Sequence, residues 1–137
     1  MEIHYIDSWP QPYSQMDAAP YWAALQEEGL TFQRCTDCRE TVWPAKSHCP
    51  NCGKRALVWE GSKGKGKVYS FSTIMRGPTP AWQAIVPYTV GFVEMEEGYI
   101  LFTQFDCAPD AIKIGDAVSV RYIKRGEQTL PIFGPAS

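Results

Sequence analysis

Long apolar runs, basic residues in excess and histidine are all scarce in this 137-residue chain, and each shortage removes a class of protein. No stretch approaches the ~20 consecutive apolar residues needed to cross a bilayer as a helix. Thirteen Lys and Arg against fifteen Asp and Glu give a net charge of −2, without the surplus on which phosphate-backbone binding draws. The opening Met1-Glu2-Ile3-His4-Tyr5 has neither the positive nor the apolar region of a secretory signal, so the cytoplasm is the expected location. Only two histidines occur, His4 and His48, and neither has a sequence neighbour suited to acid–base work. What is present is 45% apolar residues, enough for one core or for two small modules sharing one.

Five cysteines stand in the chain, four of them as two Cys-x-x-Cys pairs: Cys35 with Cys38 and Cys49 with Cys52. In a reducing compartment such pairs read as metal ligands rather than disulfides. A tetrahedral ion needs four donors, and two thiolates two residues apart both face it when the backbone between them turns tightly. Cys49-Pro50-Asn51-Cys52-Gly53 has the glycine that favours this turn, whereas Arg39 follows Cys38. The C-x2-C-x10-C-x2-C spacing predicts a closed four-thiolate site for structural zinc. A rubredoxin-type iron centre uses the same ligands, so electron transfer is an alternative that spacing alone leaves open. Cys107 stands apart and is expected in the core.

The chain divides by texture. Residues 1–29 are read as an aromatic, proline-containing arm and a helix over about 18–28, capped by Asp17 and stopped by Gly29. Residues 30–60 form the metal module, with short strands entering and leaving the cysteine pairs. Residues 61–137 carry strand-like stretches near 67–76, 88–96, 99–106, 117–124 and 129–133, with room for one helical turn between Cys107 and Asp116. Five strands punctuated by Gly, Pro and Asp predict a small barrel, so the expected class is mainly β. Residues 1–33 hold five acids and no Lys or Arg, whereas 34–67 hold eight bases and three acids, which gives the surface a dipole rather than a basic face.

Tyr21-Trp22 with Leu25, Leu30-x-Phe32-Gln33-Arg34-Cys35, Pro44 before Cys49-Pro50-x-Cys52-Gly53, and Trp59-Glu60 occur here in order. Gly64-Lys65-Gly66-Lys67-Val68-Tyr69-Ser70-Phe71-Ser72, Pro87-Tyr88, Glu97-Gly98 and Ile114-Gly115-Asp116-x-Val118 follow. In these motifs, over about residues 20–122, the chain resembles the small acyl-CoA-associated proteins that join a rubredoxin-like zinc ribbon to an OB-fold. The resemblance implies a helix, a zinc ribbon and a five-stranded OB barrel. It also implies a non-catalytic companion of a thiolase-superfamily enzyme, a thiolase, ketosynthase or aldolase acting on CoA thioesters.

Against that background Lys63, Lys65 and Lys67, alternating with glycines, are candidates for a CoA phosphate contact; the alternative is a solvated turn between ribbon and barrel. Arg76 and Trp82, in a proline-rich stretch, are candidates for contact with the partner enzyme or its ligand; alternatively Trp82 caps the barrel core. The arm is expected to dock on a basic or apolar groove of the partner. A different class of function, single-stranded nucleic-acid binding, would use Tyr69, Phe71, Phe92, Tyr99 and Phe102 as a stacking platform, although strand alternation turns many of those rings inward.

Overall fold

The computed structural model describes residues 16–136, so the expected arm and His4 lie outside the described residues. A 3-10 turn at Met16–Ala18 leads into helix α1, Ala19–Gln26, with Pro20 in its first turn where no amide partner is lost. Asp17 does not cap it: the N-cap is Ala18, which makes no side-chain cap bond. The C-terminal stop is also displaced by one residue from Gly29. Glu28 takes the left-handed conformation (φ 57°), while the amides of Glu28 and Gly29 donate to Leu25 O and Ala24 O at 2.9 Å each. This is the Schellman arrangement, and Gly29 serves it by close approach: a Cβ there would stand 3.3 Å from Ala24 O.

Three strands form the ribbon sheet: β1 (Thr31–Cys35), β2 (Thr41–Val42) and β3 (Leu57–Gly61), antiparallel in the order β2-β1-β3. Five more close a barrel: β4 (Lys65–Ile74), β5 (Tyr88–Met95), β6 (Ile100–Phe105), β7 (Ala117–Arg125) and β8 (Gln128–Pro135), in the order β4-β5-β6-β8-β7 and back to β4. The four-residue α2 (Pro80–Gln83) lies between β4 and β5. The expected helical turn between Cys107 and Asp116 is absent; that stretch is made of turns, and Asp116 Oδ2 accepts the Lys113 amide at 2.9 Å. A side chain that satisfies a backbone donor locally competes with a helical ladder.

Glycines close the barrel rather than loosen a loop. Lys65, Gly66 and Lys67 belong to β4, and a Cβ at Gly66 would come within 2.6 Å of Glu94 O on the paired strand. Gly91 faces Ser70 O and Phe71 Cα so closely that no larger residue fits between β4 and β5. Inside, Val68, Val93, Phe105, Val118 and Phe133 are buried, and Tyr21, Leu25, Leu30 and Phe32 join the same cluster from the helix and the ribbon. Cys107 is buried there too, and burial pushes its thiol pKa up. Among the described residues no helix is long and apolar enough to cross a membrane.

Candidate metal centre and its supports

Both cysteine knuckles have the same backbone. The amide of Arg39 donates to Cys35 O at 2.9 Å and that of Cys35 to Glu40 O at 3.0 Å; Gly53 donates to Cys49 O at 2.8 Å and Cys49 to Lys54 O at 3.0 Å. The residue after each second cysteine is left-handed, with φ 69° at Arg39 and 79° at Gly53. Arginine therefore adopts in the first knuckle the conformation that glycine adopts freely in the second.

This geometry points four sulfurs at one centre. The Sγ atoms of Cys35 and Cys52 are 3.7 Å apart, those of Cys38 and Cys49 are 3.5 Å apart, and all four lie within 4.8 Å of one another. Zinc at about 2.3 Å from each of four thiolates places the sulfurs about 3.8 Å apart in a tetrahedron, so the donor set fits the ion. Cys35 and Cys49 are buried; Cys38 and Cys52 are half-buried. The shifts within the cluster oppose one another: the Asn51 side chain first, and then the Glu40 backbone, lower the Cys38 thiol to about 6, while Cys52, against the pull of the Lys54 backbone, is raised to about 12 by burial and the neighbouring sulfurs, so the convergence of the four sulfurs carries the metal assignment. Such a site leaves no position for substrate, and the chemistry zinc supplies there is a cross-link. His48 is exposed, its Nδ1 2.8 Å from Ser47 Oγ, and takes no part in the cluster.

Two supports of the ribbon, Gln33 and Glu97, stand among the motifs of the resemblance, which gave neither a role. Buried Gln33 donates from Nε2 to Lys46 O at 3.1 Å and accepts the Lys46 amide at 2.8 Å, which fixes the long loop between the knuckles. Glu97, in the turn after β5, ties ribbon to barrel. Its carboxylate accepts from Ser62 Oγ at 2.9 Å and the Lys63 amide at 2.8 Å, and its carbonyl accepts from Thr41 Oγ1 at 2.8 Å. The Glu97-Gly98 motif marks the position, and only the fold shows what faces the carboxylate.

The five other candidate residues fall into two groups. The side chains of Lys63, Lys65 and Lys67 are exposed around the start of β4, and Lys65 and Lys67 border an open pocket of about 470 Å³ together with Glu94 and Glu96. Arg76 and Trp82 lie beyond the other end of β4. Lys65 and Ile74 are nine steps apart along β4, a path of up to roughly 30 Å at 3.3 Å per residue. Trp82 is half-buried, 5.0 Å from the Tyr88 ring centroid, with the Arg125 guanidinium 5.3 Å over its ring; Arg76 is exposed. Of the proposed stacking platform, Tyr99 is buried and Phe71 half-buried, whereas Tyr69, Phe92 and Phe102 are exposed on neighbouring strands.

A rubredoxin-like ribbon with four convergent thiols, docked on a closed five-stranded barrel of OB order, defines a zinc-ribbon/OB-fold protein. The ribbon matches the ChsH2 rubredoxin-like zinc ribbon domain over residues 22–58, and the barrel matches the ChsH2 C-terminal OB-fold domain over residues 59–122. The chain belongs to this ChsH2/DUF35 family. It is 37% identical over 105 residues to a DUF35 domain-containing scaffold protein of Methanothermobacter thermautotrophicus, covering 75% of this chain and 78% of that one. It is 36% identical over 129 residues to a probable enoyl-CoA hydratase alpha subunit of Thermomonospora curvata, which covers 93% of this chain but only 40% of that relative's length. Among solved structures, a chain of an Ltp2-ChsH2(DUF35) aldolase superposes with a TM-score of 0.85 at 35% identity, over 93% of this chain and 100% of that one.

Proposed function

We propose that this protein is a non-catalytic, zinc-binding accessory subunit that holds a thiolase-superfamily enzyme acting on acyl-CoA thioesters in a productive assembly. The observation that carries the reading is the whole-length likeness to the DUF35 chain of an aldolase assembly. A four-thiolate centre with no open coordination position supports a structural rather than catalytic role for the metal. Tyr69, Phe92, Ile100 and Phe102 expose apolar surface on three neighbouring barrel strands, of the kind that interface cores use, and Phe92 and Phe102 meet edge to face at 5.2 Å.

Within this reading CoA contact is assigned to Lys63, Lys65 and Lys67, whose ammonium groups suit phosphates. Arg76 and Trp82 lie too far along the β4–β5 hairpin to share the same phosphates, and are assigned to the partner's surface. Glu94 and Glu96 beside the lysines oppose a strong anion site, so the contact supplements one made by the partner.

The test is affinity capture of the tagged chain from its native lysate at moderate salt, with mass spectrometry and metal analysis of one sample. A near-stoichiometric thiolase-fold enzyme with one zinc per chain is expected. Recovery of nucleic acid, of a reductase, or of the chain alone with iron would overturn the reading.

A further inference from the structure

The outer face of the first three barrel strands carries opposite charge on neighbouring strands. Alternation along β4 turns Lys65, Lys67 and Tyr69 outward, with Gly66 and Val68 buried between them. Along β5 it turns Phe92 and Glu94 outward, with Val93 and Met95 buried, and exposed Glu96 follows the end of the strand. The register sets these residues side by side. Lys67 pairs with Glu94, the Glu96 amide donates to Lys65 O at 3.0 Å, and Phe92 lies between Ser70 on β4 and Phe102 on β6. A bulge between Val68 and Ser70 leaves Tyr69 exposed across from the step between Val93 and Phe92.

This face has an apolar centre and a charged end. Tyr69, Phe92, Ile100 and Phe102 are between 40% and 60% exposed, a grouping that monomers rarely leave in water. Among the described residues, none of Lys65, Lys67, Glu94 and Glu96 is in an ion pair. The bases stand on β4 and the acids on the β5 side, so the pattern is complementary to itself. A two-fold axis in the plane of contact, along the boundary between β4 and β5, sets the β4 side of one copy over the β5 side of the other. Lys65 then meets Glu96, Lys67 meets Glu94 and Tyr69 meets Phe92, each contact occurring twice. A simple anion or cation has no such fit, because each charge on this face stands beside its opposite.

We infer that in the free chain this face pairs with the same face of a second copy, rings at the centre and lysine–glutamate pairs at the charged end. Three short strands make a smaller contact than the ~800 Å² per partner of a standard interface, so the association belongs to the weak class. The pair does not depend on the accessory-subunit reading, and a phosphate or an enzyme surface that reaches the same lysines displaces the second copy.

The full-length chain is followed by sedimentation equilibrium from about 10 µM to about 1 mM, at low salt and at about 0.5 M salt. The mass should rise from that of the monomer toward twice that value, and salt should weaken the association. Lys65→Glu/Lys67→Glu makes all four charges acidic and Glu94→Lys/Glu96→Lys makes all four basic, so each double variant should stay monomeric. Mixed, the two should form a one-to-one pair about tenfold tighter than the parent pair, because every charge on one then faces its opposite on the other. Tyr69→Ser leaves the charges untouched and should weaken the parent pair about tenfold. Circular dichroism checks that each variant folds. A chain that stays monomeric at the highest concentration, a pair indifferent to these substitutions, or no association on mixing the oppositely charged variants would overturn the inference.

Discussion

Phe32 and Tyr99 stack with ring centroids 5.3 Å apart, one from the ribbon's central strand and the other from the turn before β6. Trp43 lies 5.1 Å from Tyr99 and 5.1 Å from Tyr21, so four aromatic rings from the helix, the ribbon and the barrel form one seam. Aromatic pairs at these separations contribute about 0.5–1.5 kcal/mol each beyond burial. The seam makes ribbon and barrel share a core, and it sets where a perturbation of one reaches the other.

Glu97 should behave as the polar part of the same joint. Glu97→Ala removes the acceptor for Ser62 Oγ and the Lys63 amide, and should lower stability by about 2–3 kcal/mol in urea denaturation. Glu97→Gln, which retains one carbonyl acceptor, should recover a measurable part. An unchanged midpoint for Glu97→Ala would show that solvent replaces both bonds without loss.

Alkaline pH should loosen the seam. Burial pushes the Tyr99 hydroxyl up from 10 to about 12, and burial moves Tyr21 in the same direction. The neutral phenol is the form the native state holds, so its contribution is complete below pH 10. Between pH 10 and about 12 the unfolded chain releases its proton first, and stability falls. For Tyr99 the loss approaches roughly 3 kcal/mol across that window. Tyr99→Phe should flatten the decline while leaving the Tyr21 part, as read by denaturation at stepped pH from 8 to 11.5.

Metal removal should act mainly on the ribbon. Chelation at neutral pH, or Cys49→Ser, should release one zinc per chain and lower the melting temperature by well over 10 °C, because structural zinc supplies on the order of 10 kcal/mol to small folds. Elemental analysis beside circular dichroism checks both parts, and a melting curve indifferent to chelator would contradict a structural role.

The two knuckles offer a paired comparison. Arg39→Gly relieves a left-handed arginine and should stabilise the protein by up to about 1 kcal/mol. Gly53→Ala meets no atom within 4 Å, so it isolates the backbone strain and should cost about 1 kcal/mol. Chemical denaturation of the zinc-loaded protein measures both, and the signs should be opposite.

Strand glycines of the barrel and the ribbon should separate by what surrounds them. Gly91→Ala drives a methyl into the backbone of β4 and should cost several kcal/mol or prevent folding, whereas Gly61→Ala, with nothing within 4 Å, should stay within about 1 kcal/mol. Soluble yield and melting temperature report the difference.

Much of the molecule is legible in local pattern. Cysteine spacing alone predicts the four-sulfur cluster, because ligand geometry constrains residues near in sequence. Alternation and Gly, Pro and Asp punctuation place the barrel strands within a few residues of β4 to β8, because a strand with one buried face must repeat every second residue. Helix ends were less legible: Asp17 and Gly29 are good cap residues, yet Ala18 and Glu28 occupy the positions, since packing of Tyr21 and Leu25 on the core sets the phase of the helix.

Composition and spacing thus determined the class of fold, the metal ligands and the absence of a long apolar helix among the described residues, all properties of residue type at short separation. Tertiary structure decided the rest. It made strand of the Gly-Lys segment, set Lys65 and Lys67 at the opposite end of β4 from Arg76 and Trp82, and put Glu97 at the joint. It also brought Gln104 and Arg125, 21 positions apart, into a buried hydrogen bond. Those relationships depend on how the barrel closes, and closure is a property of pairings between distant strands that no local pattern records.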